Sequence, residues 1–152
     1  MKRFEFKLES LLNYKKHLEQ MARQEMAKAV ANINECDQQI QTLKETKITS
    51  SLNLEKIVEK GVGAQEFKLH HGFIAMVDQM IVDEKIHKTQ LEKILDEKRS
   101  MLKKRTIDKK AMERLREKRA QEYTQEMIRN EQKELDEISS LKTAREIANG
   151  SQ

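Results

Sequence analysis

The sequence predicts an all-α fold, a long antiparallel two-helix coiled-coil hairpin with unequal arms. Three observations predict it. First, the 152 residues are 37% apolar, 37% charged and only 4% aromatic, which leaves too little apolar side chain for an ordinary globular core. Second, strong helix formers dominate and proline is absent. Third, apolar residues recur at alternating spacings of four and three, so a helix that carries them supercoils around a partner helix.

The first arm, about residues 5–60, carries the most regular seam. Seven consecutive seam positions are apolar: Ala22, Met26, Ala29, Ile33, Cys36, Ile40 and Leu43. Cys36 is the only cysteine and cannot form an internal disulfide. Because it occupies a seam position, we expect a small buried side chain rather than a nucleophile.

The corner between the arms is predicted at residues 61–72, which hold three of the four glycines. Gly61 suits the left-handed conformation that ends a helix, and Gly63 can serve as the N-cap of the next helix. A phosphate-binding loop is not indicated, because no strand precedes the turn and Glu66 stands where GxGxxG requires a third glycine. The stretch therefore predicts a turn without a bound cofactor.

Histidines give no indication of a metal site in the sequence. His70 and His71 are adjacent, so on a helix their side chains point about 100° apart and cannot share one ion. His17 and His87 lie far off in sequence. Neither HExxH nor a cysteine pair is present. We expect no metal, no cofactor and no catalytic residue, because a two-helix coiled coil also lacks the concave pocket that catalysis needs.

The second arm, about residues 64–147, has a less regular seam. When the alternating spacing of three and four is continued along this arm, charged or polar residues stand at seam positions where apolar residues are expected, namely Glu84, His87, Lys98, Arg105 and Asp108. Two interpretations remain open. The long side chains can cover a tolerant seam while their charged heads reach water, or the seam can move against a partner.

An antiparallel fold about residue 62 pairs residues whose numbers add to about 124. Ile33 would then face Leu91, Ala29 would face Leu95, and Leu43 would face Ile81. Residue 8 would face about residue 116, so residues 121–147 would have no partner within the chain. We expect one elongated domain over residues 1–152.

The segment 121–147 nevertheless carries an apolar stripe. We call Ile128, Leu135, Ile138 and Leu141 the C-terminal stripe. An apolar stripe on a lone helix is a surface that favours association. The sequence therefore predicts that another protein covers it.

Charge is concentrated in residues 96–119, which contain eleven Lys and Arg against five Asp and Glu, a net of +6. The segment can be a solvated coiled-coil face with ion pairs one turn apart, a surface for an acidic partner, or a DNA-binding helix of bZIP type. Against DNA binding, the basic run is interrupted by Met101, Leu102 and Ile107, and the bZIP sequence pattern is missing. The start of the chain has no apolar region typical of a signal peptide, and no run is long enough for a membrane span, so we expect a cytoplasmic protein.

The opening FEFKLESLLNYKKHLEQMARQEMAKA (residues 4–29) resembles the N-terminus of the flagellar export protein FliJ family, with a Phe-x-Phe-x-Leu element leading into two leucines and an Ala-rich helix. The tail RNEQKELDEISSLKTAREI (residues 129–147) is similar to the C-terminal signature of that family. Chain length, corner position and unequal arms also agree with the family.

The resemblance implies an antiparallel coiled coil similar to the stalk of rotary ATPases. Its implied partners are the hexameric flagellar export ATPase, the cytoplasmic domain of the export gate and export chaperones, with no nucleic acid. The implied role is in flagellar biogenesis, motility and chemotaxis. The implied location is the cytoplasm, with peripheral association at the inner membrane at the flagellar base.

Carried onto this chain, the resemblance implies two sets of contact residues. The ATPase ring would contact Leu8, Leu11, Leu12, Arg129, Leu135, Ile138 and Arg145. The export gate would contact Gln39, Leu43, Phe73 and Val77, although packing in the seam is an equally good role for Leu43 and Phe73. Two alternatives remain: the equivalent stalk of a virulence type III secretion system, and a general coiled-coil scaffold or homodimer.

Overall fold

The computed structural model describes residues 2–151, and they form two helices. Helix α1 spans Glu9–Lys60 and helix α2 spans Ala64–Gly150. No strand occurs within residues 2–151. Ion pairs such as Glu9–Arg116 and Lys47–Asp78 join the beginning of α1 to the later part of α2, and the end of α1 to the beginning of α2. The predicted all-α antiparallel hairpin is confirmed.

Only Gly61, Val62 and Gly63 connect the two helices. The Gly61 amide donates a hydrogen bond to the Val58 carbonyl at 3.1 Å, and Gly61 has a φ of 88°. Such a φ is strained for a residue that carries a Cβ, which is why glycine ends α1. Gly63 then accepts the first helical hydrogen bond of α2, from the Phe67 amide at 3.0 Å. The remainder of the predicted corner, residues 64–72, is helical.

We predict that alanine has opposite effects at two of these glycines. Gly61→Ala should lower the free energy of unfolding by about 1–2 kcal/mol, because alanine is strained at positive φ. Gly72→Ala should raise it by up to about 1 kcal/mol, because Gly72 lies within α2, has open space where a Cβ would stand, and has a low helix propensity. Urea denaturation measures both changes. Effects of the same sign would contradict the assigned conformation of Gly61.

Contacts within the chain group into two units. We call residues 18–105 the corner unit, and residues 1–17 together with 106–152 the terminal unit. Within residues 2–151, no helix has an apolar stretch suited to crossing a membrane.

The core of the corner unit follows the predicted seam. All seven seam residues of the first arm are buried or half-buried, with Ala22, Ala29, Cys36 and Ile40 the most buried. The second arm contributes buried Val77, Ile81 and Leu95.

Three ion pairs between the helices show the register in this unit. Lys88 Nζ lies 2.7 Å from Asp37, Lys47 Nζ lies 2.6 Å from Asp78, and Lys98 Nζ lies 3.6 Å from Glu25. Each pair lies about one helical turn from one of the three facing pairs that the sequence predicts, and so agrees with the predicted register.

The seam of the second arm differs from the predicted series of seam positions at one residue. Glu84, Lys98 and Arg105 are half-buried, as expected of seam positions. His87, however, has a side chain that is 53% exposed and lies at the rim of the seam. Lys88 takes the seam position instead, because the step after Glu84 is four residues rather than three. The prediction that His87 occupies a seam position is therefore wrong.

The terminal unit pairs the first residues of the chain with the middle of α2. Leu12 is fully buried, and the ring of Phe4 lies 5.6 Å from that of Tyr123. The Tyr123 hydroxyl donates a hydrogen bond to the carbonyl of Lys2. The prediction that residues 121–147 have no partner within the chain is therefore wrong at Tyr123, because the residues before α1 extend the pairing. Arg116 forms an ion pair with Glu9 at 3.2 Å, which agrees with the prediction that residue 8 faces about residue 116.

Candidate interaction surfaces

The C-terminal stripe is exposed along the C-terminal part of α2. Leu135 and Ile138 are 60% and 63% exposed, and Ile128 and Leu141 are similar. At about 100° per residue, the side chains of Ile128, Leu135 and Leu141 lie within about 80° of the side chain of Ile138 around the helix axis. They therefore form one apolar ridge in the terminal unit, interrupted by Glu131 between Ile128 and Leu135, and Arg129 and Arg145 are exposed on the same segment.

The N-terminal leucines of the predicted ATPase-contacting set differ in burial. Leu8 and Leu11 are partly exposed, whereas Leu12 is 0% exposed and packs within the hairpin. Their stretch of chain pairs with α2 near Arg116. Ile128 lies about 18 Å farther along the helix axis, at 1.5 Å per residue. The leucines and the C-terminal stripe are thus two separate patches of the terminal unit.

The residues of the predicted gate-contacting set also differ in burial. Gln39 and Leu43 line an open groove of about 650 Å³ in the corner unit, together with Met80 and several polar side chains. Phe73 is partly exposed, whereas Val77 is buried in the seam. The structure therefore offers Gln39, Leu43 and Phe73 to solvent and uses Val77 for packing.

Basic side chains in the segment 96–119 form ion pairs with acidic side chains nearby. In the corner unit, Arg99 pairs with Asp96 at 3.6 Å. In the terminal unit, Arg119 pairs with Glu122 at 3.6 Å and Arg116 pairs with Glu9 across the hairpin. These contacts are typical of a charged coiled-coil face, which was the first of the three interpretations of this segment.

A group of three polar side chains in the corner unit was not anticipated from the sequence. The Cys36 thiol lies 3.4 Å from both the backbone carbonyl and Oε2 of Glu84, within hydrogen-bonding distance of each. His87 Nδ1 lies 3.6 Å from the same Oε2. The three potential ligand atoms of Cys36, Glu84 and His87 all lie within 4.8 Å of one another. We call these residues the seam cluster.

Burial determines the ionisation of the cysteine in this cluster. Desolvation raises the pKa of the Cys36 thiol above its ordinary value, and the hydrogen bond to Glu84 raises it further. Cys36 is therefore a protonated thiol near neutral pH, as the prediction of a buried, unreactive cysteine requires. Cys36 and Glu84 are both predicted seam positions, but the spacing of seam positions predicted His87 in the seam as well, so the cluster was not identified from the sequence.

A two-helix hairpin with an apolar seam between its helices and an exposed apolar stripe on α2 belongs to the class of coiled-coil helical proteins. The sequence comparison narrows this class. The chain belongs to the flagellar FliJ protein family, which it matches over residues 4–147. The predicted family resemblance is confirmed, and the protein is a coiled-coil protein associated with type III export.

Two further comparisons add little to this assignment. A solved structure described as a candidate YscO homolog from Chlamydia trachomatis is similar to the chain, with 18% sequence identity and a TM-score of 0.44. That similarity covers 91% of this chain and 94% of the other. Comparison with curated proteins gives no significant match.

Proposed function

We propose that this protein is a stalk-like component of the flagellar type III export apparatus. In this proposal its C-terminal stripe docks in the central opening of the hexameric export ATPase, and docking stimulates ATP turnover. The protein also links the ATPase to the cytoplasmic domain of the export gate and to export chaperones. It acts by binding rather than by catalysis, in the cytoplasm and peripherally at the inner membrane through the gate.

The observation that carries the proposal is the exposure of the C-terminal stripe in a member of this family. Four large apolar side chains along one ridge are unfavourable in water. Burying each of them against a partner would contribute roughly 1–2 kcal/mol, given that each is about three-fifths exposed. A ridge of this kind fits an apolar ring wall that surrounds a helix.

The groove in the corner unit supports the proposed contact with the export gate. Gln39 and Leu43 line it, and Phe73 adds an exposed ring on the same unit. A groove with amide and apolar groups side by side can accept both hydrogen bonds and apolar contacts from a protein partner. Retention of the isolated gate domain by the immobilised full chain would test this contact, and no retention would contradict it.

We predict that the full chain, carrying an affinity tag, retains purified flagellar export ATPase in a pull-down. The ATPase should elute with it at a defined ratio, because apolar burial along one ridge gives a specific complex. The ATPase of a virulence type III system serves as the comparison. Equal or stronger retention of that ATPase would favour the virulence alternative, and retention of neither would contradict the proposed function.

Sedimentation of the purified protein separates the stalk from a general scaffold. A stalk whose seam residues pack against each other within one chain should sediment as a monomer at all protein concentrations. An obligate dimer, with the C-terminal stripes of two chains paired, would favour the scaffold instead.

A further inference from the structure

We propose that the seam cluster, formed by Cys36, Glu84 and His87, is a binding site for one thiophilic divalent cation of the Zn²⁺ class. The inference is independent of the proposed function. It assigns chemistry to a place in the corner unit where the sequence suggested none. A metal bound there would join α1 to α2, because Cys36 lies on α1 and the two other ligands lie on α2.

The distances within the cluster already approach those of a tetrahedral zinc site. Zinc lies about 2.3 Å from a cysteine sulfur and about 2.0–2.2 Å from nitrogen and oxygen ligands, so neighbouring ligand atoms are about 3.3–3.6 Å apart. Cys36 Sγ lies 3.4 Å from Glu84 Oε2, and His87 Nδ1 lies 3.6 Å from that oxygen. The ligand atoms of Cys36 and His87 lie within 4.8 Å of each other, so the side chains would have to move closer together to surround one ion.

The ligand types and their positions favour the same cation. Thiolate, imidazole and carboxylate are the three protein ligands that zinc accepts. Glu84 and His87 are three residues apart on one helix, a spacing that directs both side chains to the same face. Three protein ligands leave a fourth position for water, and the exposure of His87 gives the ion access from solvent.

Binding requires the thiol to lose its proton. The S–H bond of Cys36 breaks, the sulfur bonds to the cation, and the proton passes to solvent. Burial and the neighbouring carboxylates favour the protonated thiol, so the bond to the cation must drive this exchange. The carboxylates of Glu84 and Asp37 are close to the thiol, and the one nearby ammonium, that of Lys88, is already paired with Asp37 at 2.7 Å. A divalent cation would neutralise a site that carries excess negative charge once the thiol ionises.

A hydrogen-bonded trio that binds no ion is the competing explanation. The thiol already has a partner in Glu84, and His–Glu pairs one turn apart are common on helices. The two explanations differ in one measurable respect, because only a metal site forms a bond between the cysteine sulfur and a transition metal.

Titration of the full chain with Co²⁺ tests the proposal. We expect one Co²⁺ per chain and the intense near-ultraviolet band of a thiolate–cobalt bond, and we expect Zn²⁺ to displace the cobalt and remove the band. His87→Asn should weaken binding by at least about tenfold. Cobalt binding without the thiolate band, or no binding, would overturn the proposal.

Control variants distinguish a loss of metal binding from a loss of folding. His87 is largely exposed, so His87→Asn should retain the helical circular dichroism of the wild type. His17→Asn removes an exposed histidine of α1 outside the cluster and should leave cobalt binding unchanged. Zn²⁺ should raise the melting temperature of the wild type and of His17→Asn, but not that of His87→Asn. Equal Zn²⁺ effects on all three proteins would also overturn the proposal.

Discussion

Replacing Leu135 and Ile138 together by aspartate is expected to abolish stimulation of the flagellar export ATPase and to leave the hairpin folded. Both side chains are mostly exposed, so their loss removes little packing within the chain. The two new residues should cost less than about 1–2 kcal/mol through lower helix propensity. In the proposed complex, by contrast, two carboxylates would enter an apolar interface, at a cost of roughly 3 kcal/mol or more, which is over a hundredfold in affinity.

The matched control is Ile147→Asp. Ile147 is 66% exposed on the same helix but follows Ile138 by nine residues, about two and a half turns, and therefore lies on the opposite face. Its substitution introduces the same chemistry without entering the stripe. ATPase turnover at saturating ATP, measured with each variant, checks the prediction. Full stimulation by the double variant, or equal losses in both variants, would exclude the stripe as the docking surface.

Leu12→Ala is expected to produce one of the largest losses of stability that a single substitution can cause in this chain. Leu12 is fully buried, and truncating such a leucine costs about 2–5 kcal/mol through lost burial and the cavity that remains. Small proteins are stable by only about 5–15 kcal/mol, so this is a large fraction of the total. The neighbouring Leu11 is 41% exposed, and Leu11→Ala should cost about 1 kcal/mol or less.

Urea denaturation followed by circular dichroism measures the two leucine variants. The same pair also separates packing from binding within the predicted ATPase-contacting set. If Leu12 acts only in packing, a refolded Leu12→Ala hairpin at low temperature should still stimulate the ATPase, whereas exposed Leu11 remains available for contact. Similar losses of stability in both variants would contradict the burial that distinguishes them.

Features that depend on local chemistry could be predicted from the sequence. The period of apolar residues from Ala22 to Leu43 determines a coiled-coil seam, and all seven positions are buried or half-buried. Gly61 could be assigned because few residues other than glycine tolerate the positive φ that ends α1. The short connection then set the register, because helices joined by three residues must pair from the corner outward.

Features that depend on the choice between neighbouring side chains could not be predicted. Leu8, Leu11 and Leu12 are chemically alike, and only the rotation of α1 against α2 decides that Leu12 is buried. The seam cluster was missed for a related reason. A seam step of three after Glu84 was expected, the true step is four, and that difference places His87 at the rim beside Cys36 rather than inside the seam.

The three-residue connection between the helices also determines the order in which the hairpin can close. Contacts near Gly61 join residues that are close in sequence, whereas Cys36 and Glu84 are 48 residues apart and Lys2 and Tyr123 are 121 apart. Closing the larger loop directly would cost only about 0.8 kcal/mol more in chain entropy than closing the smaller one. Each turn that pairs near Gly61, however, shortens the loop that remains for the next. We therefore expect pairing to proceed outward from the glycines, with the contacts of Phe4 and Tyr123 the last to form and the first to open.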